Sequence, residues 1–512
     1  MSILREKLFE LLTWVIMSIC AILFYFVATD FFIFPSKYKI PFLLLIILLI
    51  CICGIFSIVS RYGFARFCGI MNIIWTVLIL VLVILLPNFE KRIKNIFNNI
   101  QVDTAVVNVY VLRRNYKEDF NEYRNSIFIT QGGVDQDNQR YALEELKRVL
   151  DKDNLHTTRQ NDIISAAEAL YNGEGELLII NEAYIANLEE IEDFVNFEQD
   201  TRLVYSINRE IEVIQEEEPD DADKEITEKT FTVYVAGCDT RSGRLGIYGR
   251  TDVNILVTVN PLSKQILITG IPRDSYIPNP ALNYGLDKLT HLGNNSIYNT
   301  MEGVSDYFDI DIDYYGEVIF DTFKNIIDAL GGIDVDNPYY FTTLGGNGNY
   351  QTTTTYDFPQ GGVHLDGTSA LAYCRERYNL PNGDYGRNEH QTIVLKALIQ
   401  KLLSPAIIEN YDAVLRAMNG QFLTNMEVDD IYKLIGMQLN DNVSWDIISY
   451  HLGGEGDMCG TASMGWNRML YVVHPFATQV NFIHGEIAKM ENNELISQGK
   501  LPNEEDTTYI PN

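Results

Sequence analysis

The sequence predicts a membrane-anchored α/β protein, and three observations carry that expectation. Three long apolar runs lie near the N-terminus, strand-like and helix-like segments alternate from about residue 103 onward, and an acidic stretch divides this alternating part in two. The apolar runs are 11–28, 41–59 and 68–87. Each is about the roughly 20 residues that a helix needs to cross a bilayer, and none contains an ionised side chain. Residues 1–95 are therefore expected to form a transmembrane region. A cleaved signal peptide fits poorly, because the first run is long for the apolar part of one and two more spans follow. An odd number of spans places Met1 and the chain after Asn88 on opposite sides. Arg5, Lys7, Arg61 and Arg66 suit a cytoplasmic N-terminus, while Lys37, Lys39, Lys91, Arg92 and Lys94 oppose it, so charge alone leaves the orientation open.

Beyond the spans, 105–112 and 126–130 are β-rich and Gly132-Gly133 makes a loop. Leu143, Leu146, Val149 and Leu150 recur at helical spacing, 177–180 reads as a buried strand, and a helix is predicted around 183–195. Strands alternating with helices argue for a small α/β accessory domain over 103–208, without a catalytic motif. Residues 209–229, REIEVIQEEEPDDADKEITEK, are dense in acids and have little to bury, which predicts an extended linker. Its acids could attract metal ions, but a solvated linker is the commoner outcome of such a composition.

A second α/β domain is expected over 230–490. It opens with a buried strand at 231–236 and a polar loop, GCDTRSGRLGIYGRTD. Strands at 253–259 and 265–269 are joined through Asn260-Pro261, and the latter runs into IPRDSYIP. Asp239, Arg250, Asp252, Arg273 and Asp274 thus fall at strand ends or in adjoining loops, where open α/β sheets bind ligands. GLDKLTHLG adds Lys288 and His291 in a loop before a helix. Residues 316–330 are predicted as an amphipathic helix with Val318, Ile319, Phe323, Ile326, Ile327 and Leu330 on its apolar side. Residues 345–355 form a polar loop, 368–373 and 393–403 are helical, 469–473 is a strand, and 491–512 reads as a disordered tail.

The chain's formal charge is −30, yet YCRERYNLPNGDYGRNEHQ at 373–391 places Arg375, Arg377 and Arg387 within one loop and helix start. Arginine grips phosphate through two parallel hydrogen bonds and a charge that is never lost. If Asp384 caps a helix after the Asn382-Gly383 turn, Arg387, His390 and Gln391 share a face at the positive end of its dipole. A solvated, salt-bridged helix terminus fits this stretch alone equally well. The acidic balance disfavours nucleic acid as a partner. Of seven cysteines, Cys20, Cys51, Cys53 and Cys68 lie in or beside the spans. Cys238, Cys374 and Cys459 remain, an odd number without zinc-like spacing, so neither a disulfide framework nor a metal cluster is implied, though one pair could form.

GRTDVNILVTVNP, ITGIPRDSYI, DKLTHLG and ALAYCRER…GDYGRNEHQ, in this order and spacing, resemble the LytR-CpsA-Psr family of Gram-positive envelope enzymes over about 230–403. The resemblance implies an α/β/α sandwich catalytic domain. It implies transfer of a glycopolymer, as its sugar phosphate, from an undecaprenyl-pyrophosphate carrier to peptidoglycan, forming a phosphodiester with the help of Mg²⁺. It further implies that Arg250, Arg273, Arg375, Arg377, Arg387 and Gln391 bind the pyrophosphate and that Asp239 and Asp252 hold the metal. Lys288, Asp274 and Asp384 match motif positions, the first for substrate and the other two, together with Arg273, for catalysis. The implied location is the cell membrane, multi-pass, with the soluble domains extracellular. Where the family often has arginine before the final glutamine, this chain has His390. Three spans with an intervening domain look like the family's capsule-linked branch; the polymer could equally be a teichoic acid or another glycan.

The residues suit that chemistry. Splitting a pyrophosphate leaves charge on the departing phosphate, so catalysis is mostly positioning and neutralisation. A carboxylate pair suits Mg²⁺, which takes oxygen ligands. Asp274 and His390 are candidates for taking the acceptor's proton. A prenyl chain needs an apolar slot, which 318–330 against 255–259 could line, although such residues more often form plain core. Two other functions share these features: a polyprenyl-pyrophosphate phosphatase, with water as acceptor, and a non-catalytic membrane regulator that binds lipid pyrophosphates. No Ser-His-Asp order, P-loop or dinucleotide fingerprint occurs in the right context.

Overall fold

The computed structural model describes residues 8–30, 38–59, 62–97, 102–212, 225–238, 249–344, 355–404, 406–418, 422–441 and 443–502. The three apolar runs form helices α1 (Leu8–Asp30), α2 (Lys39–Val59) and α3 (Tyr62–Phe97). All three are long and apolar enough to cross a membrane. Several polar contacts join different helices. Glu10 of α1 is buried against Arg66 of α3 at 3.4 Å, and Trp14 donates its indole N–H to the Ile50 carbonyl at 2.9 Å. Satisfying such groups internally is what a bilayer interior demands.

The accessory domain is a five-stranded sheet with a helix on each face. Its strands are β1 (Val102–Leu112), β2 (Ile127–Gln131), β3 (His156–Gln160), β4 (Leu177–Asn181) and β5 (Thr201–Glu212), in the order β3-β2-β4-β1-β5. Alternation along β1 sends Val107, Val109 and Val111 toward helix α4 (Gln136–Val149), where Ala142 and Leu146 meet them. Tyr110 and Leu112 face helix α5 (Ile163–Asn172) on the other side. Two expectations change here. The helix expected at 183–195 is a chain of short turns, Glu182–Tyr184, Ile185–Leu188 and Glu192–Phe194, interrupted where Ile191 is extended. Tyr184, Ile185, Leu188 and Phe194 still reach the core from these turns. Arg209 to Glu212, expected as the start of the linker, instead continue β5 and pair with Ala105 to Val102 of β1, and 213–224 lie outside the described residues.

The second domain is built on a mixed six-stranded sheet. Its strands are β6 (Phe231–Cys238), β7 (Thr251–Asn260), β8 (Gln265–Gly270), β11 (Tyr314–Ile319), β12 (Phe422–Thr424) and β13 (Asp446–His451), with a small pair β9 (Tyr276–Asn279) and β10 (Gly285–Lys288) between β8 and β11. The order is β12-β11-β6-β7-β8-β13. Period-two alternation divides its side chains cleanly. Tyr234, Ala236, Leu256 and Leu267 pack under helices α6 (Ile297–Phe308) and α10 (Ala477–Glu491). Ile255, Val257, Ile266 and Ile268 face the opposite layer, where Leu395 and Ile399 of α9 (Asp384–Leu402) cover them. The domain is therefore the three-layer α/β/α sandwich that was expected.

The helix predicted at 316–330 is in fact strand then helix. Residues to Ile319 pair in parallel with β6, and α7 (Phe320–Ala329) follows. The proposed apolar slot dissolves for the same reason. Ile326, Ile327 and Leu330 pack with α8 (Gly367–Arg375) and α9, while Ile255 and Val257 belong to a separate core. The start of the tail expected from 491 is also part of the fold. Ile496 is buried and bonded in both directions to the Gln265 side chain, at 2.8 and 3.0 Å.

Gly270 lets α9 approach the sheet. A Cβ there would stand 2.4 Å from Asn388 Oδ1 and 2.5 Å from Thr392 Oγ1. Gly270→Ala is expected to lower stability by about 1–3 kcal/mol, read as a fall in melting temperature. An unchanged melting temperature would mean that α9 gives way without cost.

Candidate active site

Antiparallel pairing of β7 with β8 puts the start of one beside the end of the other, with Ile255 opposite Gly270. Arg250 and Asp252 therefore meet the IPRDS loop that follows β8. That loop is a tight turn, closed by Ser275 N–H and Oγ donating to the Pro272 carbonyl at 3.0 and 2.7 Å. Arg273 Nη1 donates to Asp252 Oδ1 at 2.8 Å, and its Nε lies 3.7 Å from Asp274 Oδ2. Lys288, at the end of β10, meets Asp274 Oδ1 at 2.7 Å. Arg250 Nη2 lies 3.6 Å from Asp252 Oδ1. Five of the expected residues thus form one cluster.

A sixth member comes from the accessory domain. Glu190, between two of its short turns, places Oε1 2.6 Å from Arg250 Nη2 and Oε2 2.9 Å from Lys288 Nζ. Three carboxylates, Glu190, Asp252 and Asp274, thus face Arg250, Arg273 and Lys288. Burial pushes the Asp252 carboxyl up, but Arg273, Arg250 and Arg387 outweigh it and hold it at about 2. Burial likewise opposes ionisation of Asp274, and Lys288 and Arg273 reverse it. Glu190 is held well below its ordinary range, burial again being overcome by Arg250 and Lys288. All three are ionised at neutral pH, and Asp252 offers the carboxylate oxygen type that Mg²⁺ takes.

Behind Lys288, a buried network fixes the strand end. Asp287 Oδ1 lies 2.9 Å from His291 Nδ1 and accepts from Ser463 Oγ at 3.0 Å, and Asp287 Oδ2 accepts from Ser463 N–H at 3.1 Å. Asp287 and His291 are fully buried, so the three groups hold the segment rather than face a ligand.

The arginine-rich stretch sits around the start of α9. Gly383, at φ +56°, is the N-cap, and Asp384 is the first helical residue instead of the cap; its side chain lies outside the described residues. Arg387 is half-buried, and its charge reaches Asp252. Arg375 lies over the Phe320 ring at 4.8 Å and Arg377 over the Tyr378 ring at 4.5 Å. Their turn is wrapped around Glu376, whose Oε1 accepts from the backbone N–H groups of Arg377, Tyr378 and Asn379 at 2.8–3.0 Å.

Two expected roles change. Gln391 is buried and donates to the Cys374 carbonyl at 3.4 Å, so it braces the arginine turn from behind. His390 is fully buried and stacked on Tyr373 at 4.1 Å, with Phe341 at 4.7 Å. Burial lowers its pKa to about 4, so it is neutral, part of an aromatic core, and removed from the proton-taking role considered for it. Asp239 lies outside the described residues. Cys238, Cys374 and Cys459 are in no disulfide among the described residues.

Glu190 and Glu376 were not singled out in the sequence. Glu190 lies within NLEEIEDF, where nothing separates it from neighbouring surface acids. Glu376 sits between two arginines, a position in which its own role is hidden by theirs.

A family model described as the LytR_cpsA_psr family matches residues 202–470, starting in the last strand of the accessory sheet. An Enterococcus faecalis protein named polyisoprenyl-teichoic acid–peptidoglycan teichoic acid transferase TagU is 36% identical over 207 residues, which cover 40% of this chain and 64% of that one. The Bacillus subtilis protein of the same name is 30% identical over 219 residues, covering 41% and 66%. The chain thus spans under two thirds of these relatives. The crystal structure of B. subtilis TagV aligns at 28% identity and a TM-score of 0.41, covering 52% of this chain and 98% of that one.

Proposed function

The chain belongs to the LytR_cpsA_psr family, and on that premise we propose that it is a phosphotransferase that moves a glycopolymer from a polyprenyl-pyrophosphate carrier to peptidoglycan. The relatives' printed name makes a teichoic acid the proposed polymer. The observation that supports the reading is the cluster of Arg250, Arg273 and Lys288 at one end of the sheet, beside Asp252 and Asp274. A chain of −30 net charge gathers cations there, close to a carboxylate pair of the sort phosphoryl transfer uses. The spans would hold this site at the outer membrane surface, where a prenyl-linked donor is presented.

In this reading Arg250, Arg273, Lys288 and Arg387 bind the diphosphate oxygens, with Arg375 and Arg377 on the α9 side. The acceptor hydroxyl oxygen forms its bond to the sugar-side phosphorus as the bridging P–O bond breaks, and prenyl phosphate leaves. Asp274 accepts a hydrogen bond from the hydroxyl and takes its proton as the new bond forms, then passes it to solvent. Asp384 stands at the helix start as a further catalytic candidate. Asp252, with Asp239, would hold Mg²⁺, which when bound adds charge neutralisation on the phosphates.

The test is an incubation of the full-length protein in detergent with Mg²⁺, a polyprenyl-pyrophosphate oligosaccharide and peptidoglycan fragments. Linked product is expected, falling by at least about 100-fold in Arg387→Ala. Equal yield from that variant would overturn the site assignment, and release of phosphorylated glycan without linkage would identify a phosphatase.

A further inference from the structure

On the hairpin of β14 (Gly454–Thr461) and β15 (Gly465–Pro475), three side chains of different chemistry converge. Asp457 and Cys459 are two apart on β14, and His474 comes from β15. Asp457 Oδ2 lies 3.5 Å from Cys459 Sγ and 3.5 Å from His474 Nε2, and Sγ lies 3.9 Å from Nε2. These are the edges of a triangle with one sulfur, one nitrogen and one oxygen corner.

A tetrahedral Zn²⁺ prescribes such a triangle. Bond lengths of about 2.3 Å to sulfur, 2.05 Å to nitrogen and 2.1 Å to oxygen require separations of about 3.6 Å for S···O, 3.4 Å for N···O and 3.6 Å for S···N. The observed edges differ from these by no more than about 0.3 Å. We propose that Asp457, Cys459 and His474 form a Zn²⁺ site with three protein ligands and a water in the fourth position. Thiolate and imidazole select zinc over Mg²⁺ or Ca²⁺, which prefer all-oxygen sets.

The surroundings hold the ligands in place. Asp457 Oδ1 accepts from Met458 N–H at 2.7 Å, which leaves Oδ2 turned to the other two groups. The His474 ring stands edge-on to Tyr276 at 5.4 Å and 81°, and Tyr276 donates its phenol O–H to the Gly460 carbonyl at 2.6 Å, next to Cys459. Tyr276 follows the IPRDS loop, and Val473 donates its N–H to the Asp274 carbonyl at 2.8 Å. A metal here would therefore lock the hairpin against the segment that carries Arg273 and Asp274. Binding replaces the Cys459 S–H bond by S–Zn and releases that proton to solvent.

The experiment titrates Co²⁺ into reduced, chelator-treated full-length protein in detergent. One equivalent should raise a thiolate-to-cobalt charge-transfer band with four-coordinate visible bands, release about one proton, and be bleached by Zn²⁺. Cys459→Ser should lose the charge-transfer band, since Cys238 and Cys374 are buried and Cys20, Cys51, Cys53 and Cys68 lie on the apolar spans, which detergent covers. His474→Ala and Asp457→Asn should each weaken binding by about tenfold or more. A parent protein without the band, a band retained in Cys459→Ser, or unchanged affinity in His474→Ala would each overturn the site.

Discussion

Arg273→Ala is expected to lower glycan transfer by about 10²–10³-fold, the usual cost of removing one preorganised electrostatic contact to a developing charge. Arg273 spans two carboxylates, with Nη1 on Asp252 and Nε toward Asp274, and is itself largely buried. Its removal takes the nearest cation from Asp252, which keeps Arg250 at 3.6 Å, while Asp274 keeps Lys288 at 2.7 Å, so the stability cost should stay below the roughly 3–5 kcal/mol of breaking a buried pair outright. Arg273→Lys keeps the charge but has no fork with which to reach both partners, so only partial recovery is expected. The pH dependence gives a second readout. Asp252 is held at about 2 against an ordinary value of 3.8, so the stability it contributes is complete above pH about 4 and is lost as pH falls toward 2. Without Arg273 the folded value rises toward the unfolded one, and the loss of stability between pH 4 and pH 2 should flatten. Activity within threefold of the parent, or an unchanged acid slope, would show that Arg273 does not carry the site.

Glu190→Gln is expected to tighten binding of inorganic pyrophosphate by about tenfold, in a full-length protein titrated by calorimetry. The glutamate is 2.6 Å from Arg250 and 2.9 Å from Lys288, two of the cations assigned to phosphate. Its negative charge offsets theirs and competes with an anionic ligand for the same donors. Glutamine keeps the shape and removes the charge, leaving the cluster one unit more positive. At an effective dielectric of about 20, a unit charge some 4–6 Å away is worth a few kcal/mol, and screening reduces this to roughly the 1.4 kcal/mol of a tenfold change. The gain should shrink as salt is raised. Weaker binding in the variant would mean that Glu190 serves to arrange the cations and does not oppose the ligand.

Much of this was legible from residue order. The spans, the β7–β8 pairing and the placing of Arg250, Asp252, Arg273 and Asp274 at one sheet end follow from local periodicity and from strands that end where charged loops begin. Other features depend on partners distant in sequence. Val318 and Ile319 have the spacing of a helix face, but parallel pairing with β6 takes them into the sheet. β3, HTTRQ, is a polar edge strand with no apolar alternation to announce it. His390 was placed on a helix face beside Arg387, whereas the neighbouring turn of α9 faces Tyr373 and Phe341. Asp457, Cys459 and His474 lack any ligand spacing in the chain because a hairpin brings them together. Glu190 reaches its cations across a domain boundary, which no local pattern can report.

The hairpin has another debt to the accessory domain. Met464 and Leu470 lie in the same core as Ile163, Leu178 and Phe194, and Arg468 pairs with both Glu168 and Asp193. These hairpin positions are therefore constrained from two sides at once. A substitution at Met464 must suit a pocket formed by one domain while leaving the turn of the other intact. Drift in either partner is limited by its neighbour, so the two domains should be inherited as a matched pair. Exchanging the accessory domain for that of a relative would fail unless the hairpin tip travelled with it.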